Sequence, residues 1–259
     1  MEETRADLLP ESARPRREDS GAIASPLGVV KMLVRQACYE ARVRGLRKIP
    51  FRSSRNDVAC RAYSALTLRE FEAINERQAW ANWRTIRRNL AGRIPPRPVR
   101  AIDLCCGTGR STEVLAYYLE PGSAILGIDA ESRFVARART RRYLTREGTC
   151  ADVAFRCQSV LEPLRESAAD LVVDASVDLV NSSGAVGCHF DARTTAVLAA
   201  EVDRVLRPGG LALIDCGRDG TRPEELRRIF EDRGFRAIHR ARSCLFDRYW
   251  QVAFRKERP

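Results

Sequence analysis

Lysine and histidine are nearly missing from this 259-residue chain: Lys31, Lys48 and Lys256 are its three lysines, and His189 and His239 its two histidines. No apolar run approaches the roughly 18–20 residues of a membrane span, so no segment is expected to cross a bilayer. None of the nine cysteines stands in a Cys-x-x-Cys pair, the spacing by which structural zinc sites usually announce themselves. Their odd number in a long chain also argues against a disulfide framework. Reduced thiols acting as small apolar groups are expected, and no metal site. The first twenty residues carry both signs of charge, with Glu2, Glu3 and Asp7 at the start, and lack the basic start and apolar centre of a signal peptide. A disordered tail over 1–22 and a cytoplasmic location are the expectation.

The positive charge is present but unevenly spread. Of the formal net charge of +11, residues 1–100 hold 21 Lys and Arg against 11 Asp and Glu, and the remainder 24 against 23. Nearly all of it is arginine, which the base composition of a genome favours as readily as function does. Arginine alone therefore does not imply nucleic acid.

Residues 23–96 read as a helical extension. Ser25 is placed to cap a helix with Pro26 at its first position, followed by Leu27, Val30, Val34, Ala37 and Ala41 at helical spacing, and Gly45 to end it. Lys48 to Arg61 reads as irregular and basic. Thr67 and Glu70 then form an S/T-x-x-E capping box ahead of one helix running to the "IPP" at 94–96. From 97 to 259 the pattern becomes alternating strands and helices: "VRAIDLC", a helix, "AILGID", an arginine-rich helix over 131–147, "DVAFRC", and later "LALIDC". A last helix carries a box at Thr221 and Glu224, and two late strands, "FRAIHRAR" and "RYWQVAFR", close the chain. The expected fold is α/β, a doubly wound, mostly parallel seven-stranded sheet with an antiparallel last strand, plus the helical extension. Both 169–174 and 177–182 qualify as the fourth strand. The second is preferred, with 162–174 as the helix before it.

"DLCCGTG" lies at the carboxyl end of the first strand and opens the first helix, where ligands of open α/β sheets bind. Gly107 and Gly109 let a backbone approach a ligand without a Cβ in the way. Asp129 ends the second strand, 22 residues beyond Gly107, where an acid can accept both hydroxyls of a ribose. A dinucleotide loop would read G-x-G-x-x-G and a P-loop would end in Gly-Lys-Ser/Thr; neither pattern occurs.

The array resembles the class I S-adenosylmethionine-dependent methyltransferases, whose first motif commonly reads D-L-x-C-G-T-G. Further matches are "LGIDAES" after the second strand and "VDRVLRPGGLALID" around the fifth. The likeness runs from about Val99 to Arg255, with the small-molecule branch nearest in flavour. It implies S-adenosyl-L-methionine as cofactor. It places Asp103 and the backbone of Cys105, Cys106, Gly107, Thr108 and Gly109 along the methionine and ribose, Asp129 on the ribose hydroxyls and Ala130 against adenine. Ser159 and Val160, within "QSV", fall at the adenine end, and Asn181 and Ser182 face the methyl group. Many relatives have an acid near Ser159 and a larger apolar residue at 130, so weaker cofactor binding is implied.

His189 follows the preferred fourth strand on the ligand side and is the candidate base, or else a cap for the helix near Asp191. Trp80, Trp83 and Arg84 lie in the extension as packing residues or as substrate contacts in a lid. Methyl transfer to a small molecule is the leading reading. Its rivals are a nucleic-acid methyltransferase using the basic N-terminal half and a cofactor-binding or membrane-surface protein docking through the helix over 26–44. The D/N-P-P-Y/F motif of amino-directed nucleic-acid methyltransferases is missing, and no RNA-binding module is recognisable, so nucleic acid is not the expected partner. Oligomeric state is not legible.

Overall fold

The computed structural model describes residues 26–167, 169–244 and 249–257; the tail expected over 1–22 and the cap expected at Ser25 lie outside the described residues. Seven strands form one sheet in the order β3-β2-β1-β4-β5-β7-β6. They are β1 (Arg100–Leu104), β2 (Ala124–Asp129), β3 (Asp152–Cys157), β4 (Val177–Ser182), β5 (Leu206–Cys216), β6 (Phe235–Ala241) and β7 (Trp250–Lys256). The first five run parallel, and β7 enters antiparallel between β5 and β6. This is the expected sheet, with 177–182 as its fourth strand.

Alternation along the strands builds two cores, because successive side chains point to opposite faces. On one face Ile102, Leu104, Val180, Ile214 and Phe254 pack together; on the other Ala101, Leu179, Leu213 and Ala253 do. Helix α5 (Arg110–Tyr118) follows β1, α6 (Ser132–Arg139) follows β2, α7 (Val186–His189) and α8 (Ala192–Val205) follow β4, and α9 (Pro223–Glu231) follows β5. The reversal of strand order falls between β1 and β4, so their carboxyl ends open the crevice where ligands bind.

The extension is helical, with α1 (Pro26–Ala41), a π turn over Arg42–Leu46, α2 (Asn56–Ser64), α3 (Leu68–Ile74) and α4 (Glu76–Leu90). The capping box at Thr67 is formed in both directions: Thr67 Oγ1 accepts from Glu70 N at 3.2 Å, and Glu70 Oε2 accepts from Thr67 N at 2.9 Å. The single helix expected after it is two. Asn75 turns its carboxamide onto Phe71 O at 2.9 Å and leaves helical geometry, the usual competition of an Asn side chain with the helix ladder.

Several other expectations are corrected. The stretch read as irregular contains α2, whose inward side chains are small (Ala59 and Ala62) and give little hydrophobic period. The helix expected over 131–147 stops at Arg139, where Thr140 Oγ1 turns back onto Arg137 O at 2.8 Å and Tyr143 Oη donates to Ala138 O at 2.9 Å. Among the described residues of 162–174 there is no helix: Pro163 has no N–H to give, and Val172 N instead pairs with Leu164 O at 2.8 Å in a short antiparallel turn. Thr221 does not cap α9. Arg222 holds that position with Pro223 next, while Thr221 Oγ1 donates to Phe190 O at 2.9 Å. The apolar stripe of α1 faces solvent rather than the core: Leu27 is 63%, Val30 54% and Val34 57% exposed.

A line of side chains crosses the sheet from the extension. His239 Nδ1 donates to Asn89 Oδ1 at 2.8 Å, and Asn89 Nδ2 donates to Gln251 Oε1 at 3.0 Å. Gln251 Nε2 donates to Asn181 Oδ1 at 2.9 Å, and Asn181 Nδ2 to Asp103 Oδ1 at 2.7 Å. Asn89, Gln251, Asn181 and Asp103 are all buried, so α4 is tied to the strand that carries the glycine loop.

Candidate active site

A cavity of about 710 Å³ opens at the carboxyl ends of β1, β2 and β4. Its floor is the turn after β1, where Cys105 (φ 53°), Gly107 (φ 53°) and Gly109 (φ 83°) are all left-handed. For a residue with a Cβ that conformation is costly, and Cys105 bears it. Cys105, Cys106, Gly107 and Thr108 line the cavity. Gly109 does not: the space beside its Cα is filled by the Tyr143 hydroxyl. Gly107 is held against the extension, since a Cβ there would lie 2.9 Å from the Phe71 ring. Phe71 stacks on Phe134 at 3.8 Å between centroids, and Tyr63 packs edge-on against both.

Asp129 lines the cavity at the end of β2. Its Oδ2 accepts from Gly107 N and its Oδ1 from Glu131 N, both at 2.9 Å. Each carboxylate oxygen has a second lone pair, so two further donors can be received. Burial pushes this carboxyl up to about 6, against the two backbone hydrogen bonds. Ala130, Ser159 and Val160 complete this end, with Ser159 Oγ accepting from Leu161 N at 3.2 Å. Gln158 turns away to Pro163 O.

Besides Gly109, three residues expected at the cofactor do not line the cavity. Asp103 is fully buried beneath the loop, taking hydrogen bonds from Ser111 Oγ at 2.7 Å, Thr112 Oγ1 at 2.6 Å and Asn181 Nδ2 at 2.7 Å. Burial raises its pKa all the same. Asn181 points at Asp103, and Ser182 Oγ donates to Asp215 Oδ1 at 3.1 Å. All six residues of β4 are buried, and the chain first reaches the cavity beyond it, at Ser183, Gly184 and Ala185.

The roof comes from the extension, but not through the expected side chains. Trp80 packs with Met32 and Ala81, Trp83 lies edge-on to Tyr117 and Tyr118, and Arg84 sits over Trp80 at 4.5 Å. None of the three lines the cavity. The face of α4 that does carries Gln78, Ala79 and Asn82, with Asn75 just ahead of it. Asn56 and Tyr63 of α2 and Phe71 of α3 join it. No motif marks these residues, and α2 lacked the apolar period that would have placed them.

His189 ends α7 at the cavity wall and is not the cap of α8, which is Asp191. Its Nδ1 meets Ser53 O at 3.3 Å and its Nε2 the Tyr63 hydroxyl at 2.9 Å. Since a carbonyl can only accept, Nδ1 carries the hydrogen and Nε2 receives that of Tyr63. Burial lowers the imidazole to about 4, below the range suited to a base working near neutrality. Burial likewise raises the Cys105 and Cys106 thiols well above their ordinary range, so neither is a thiolate at neutral pH.

The sheet order and the glycine loop with its acid on the next strand define a class I methyltransferase fold. Residues 101–210 match the family model described as "Methyltransferase domain". The chain is similar to the "Uncharacterized methyltransferase sll0829" of Synechocystis sp., at 30% identity over 120 residues, which make up 46% of this chain and 48% of that protein. It thus spans about half the length of that curated relative. Among solved structures, a chain from the complex between the Haloferax volcanii Trm112 methyltransferase activator and the putative methyltransferase superposes with a TM-score of 0.55 at 18% identity, covering 76% of this chain and 97% of that one. A SAM-dependent methyltransferase from Methanosarcina mazei gives 0.51 at 16% identity, covering 65% and 96%. At those identities the likeness is one of fold. Among the described residues, no helix is long and apolar enough to cross a membrane.

Proposed function

We propose that this chain transfers the methyl group of S-adenosylmethionine to a small-molecule acceptor held between the glycine loop and the extension. The observation that carries this reading is the roof: Phe71 rests on Gly107, Gln78 of α4 rests on Gly184, and α2 lines the same cavity. An acceptor there would meet Gln78, Asn82 and Ser183 beside the rings of Tyr63 and Phe71.

The loop over Cys105–Thr108 and the acid Asp129 hold the cofactor, with Ala130, Ser159 and Val160 along its base. When bound, the cofactor supplies a methyl group already activated on a sulfonium. The protein's part is then placement, which can lower a barrier by about 7–11 kcal/mol. Gln78, Asn82 and Ser183 offer neutral donors and acceptors to orient the acceptor. Tyr63 Oη gives its hydrogen to His189 and keeps a lone pair for an acceptor O–H or N–H. His189 stays neutral from pH 5 upward, because its pKa lies near 4; it fixes the Tyr63 hydroxyl, and Tyr63 meets the acceptor.

Release of S-adenosylhomocysteine against a panel of small phenols, amines and thiols tests this. With the acceptor so found, Tyr63→Phe and His189→Ala are expected to lower kcat/KM alike, by about a hundredfold. Calorimetric affinity for S-adenosylhomocysteine should stay within about twofold of the parent. Turnover on RNA exceeding that on every small acceptor, or full activity in both variants, overturns the reading.

A further inference from the structure

Five of the nine large apolar side chains left exposed among the described residues, Leu27, Val30, Leu33, Val34 and Leu46, fall in α1 and the π turn after it. The helix packs on the molecule by its other side: Met32 meets Trp80, Gln36 Oε1 accepts from Arg77 N at 3.2 Å, and Arg35 Nε donates to Glu76 at 2.7 Å. A surface helix ordinarily turns its apolar side chains inward and its polar face to water; α1 buries Met32 on one side yet leaves a second apolar strip in water.

The charge around the stripe has one sign. Residues 26–48 contain six Lys and Arg and a single acid, Glu40. Arg35 pairs with Glu76, Arg47 with Glu70, and Glu40 with Arg52. Lys31, Arg42, Arg44 and Lys48 are exposed and make no ion pair with a described residue. Leu46, 82% exposed, sits among the last three.

We propose that α1 and the following turn dock on an anionic lipid bilayer, with Leu27, Val30, Val34 and Leu46 entering the acyl boundary and the four cations reaching the headgroups. An apolar strip bordered by Lys and Arg is what binds such a surface, through buried apolar area together with attraction to anionic lipid. A second copy of the chain would bring the same cations against one another, and a nucleic acid would leave the apolar strip in water. Arg35 and Tyr39, on the inner side of α1, line the cavity, so one helix separates the docked surface from the acceptor space.

Co-sedimentation of the full chain with vesicles of phosphatidylcholine and phosphatidylglycerol (7:3), against phosphatidylcholine alone, reads this directly. Binding is expected only to the anionic vesicles, and weaker in high salt. V30E/V34E and, independently, K31E/R44E should each partition at least ~tenfold more weakly, with affinity for S-adenosylhomocysteine unchanged. The second variant alters no packed residue and decides alone if the first does not fold. No binding above the neutral vesicles, or undiminished binding by K31E/R44E, overturns the proposal. So does a wild-type dimer that V30E/V34E disperses without any vesicle binding.

Discussion

Asp129→Ala is expected to weaken binding of S-adenosylhomocysteine by about a hundredfold or more, measured by calorimetry at pH 8. The side chain has two acceptor positions left for the ribose hydroxyls, and each charge-assisted hydrogen bond is worth about 1.5–3 kcal/mol. The same carboxylate also ties Gly107 N to the end of β2, so its removal loosens the loop the cofactor lies on. The wild-type affinity should depend on pH with a definite sign. Burial raises this acid to about 6, and a ligand that donates to the carboxylate prefers it ionised. Affinity is therefore full above about pH 7 and falls as the pH drops through 6. His189, with its pKa near 4, contributes nothing in that window. Asp129→Ala should give a flat profile between pH 5 and 8. An unchanged affinity, or a slope that survives the substitution, removes Asp129 from the cofactor.

Asp103→Ala is expected to act on stability first. The side chain is 0% exposed and receives three hydrogen bonds, from Ser111, Thr112 and Asn181. Deleting it strands three buried donors, at about 1–3 kcal/mol each. Partial relaxation leaves an expected loss of about 3–5 kcal/mol, or a fall in Tm of roughly 10 °C for a chain this size. Calorimetric melting without ligand measures it. Were Asp103 a cofactor contact instead, the ligand-free Tm would hardly move and only affinity would drop. Asp103→Asn should fall in between, since a carboxamide accepts at one atom where this site needs acceptance at two.

The two acids show how far residues and spacing reach. Both were placed at the right ends of the right strands, because a short apolar run ending in an acid before a glycine turn admits few geometries. What spacing leaves undetermined is which way a side chain turns at a strand end. Asp103 pairs with Gly127, two residues short of Asp129, and lies under the loop while Asp129 faces the cavity. The same ambiguity displaced the fourth-strand contacts: Asn181 and Ser182 belong to a strand buried along its whole length, and the chain emerges only at Ser183. In the extension, helical period was misleading for a different reason. α4 is packed on more than one side, so Trp80 meets α1 and Trp83 meets α5 while Gln78 and Asn82 meet the cavity. α1 shows an apolar period whose outward direction no one-dimensional pattern encodes. The roof residues of α2 were illegible because alanines did the packing.

The line of amides from His239 to Asp103 has a direction. A carboxamide gives hydrogen at one atom and takes it at the other, and here every hydrogen points toward the buried acid. Reversing any one amide would set oxygen against oxygen at one end and N–H against N–H at the other, so the wiring admits a single orientation. Asn89 is a link in it and belongs to α4, so that helix cannot leave the sheet without stranding partners inside the protein. Any opening of the roof must then hinge ahead of α4, and Asn75, where the helix ladder is already broken, is the natural pivot. Hydrogen exchange would see this as two rates in the extension, with amides of α2 and α3 opening locally and those around Asn89 opening only with the sheet.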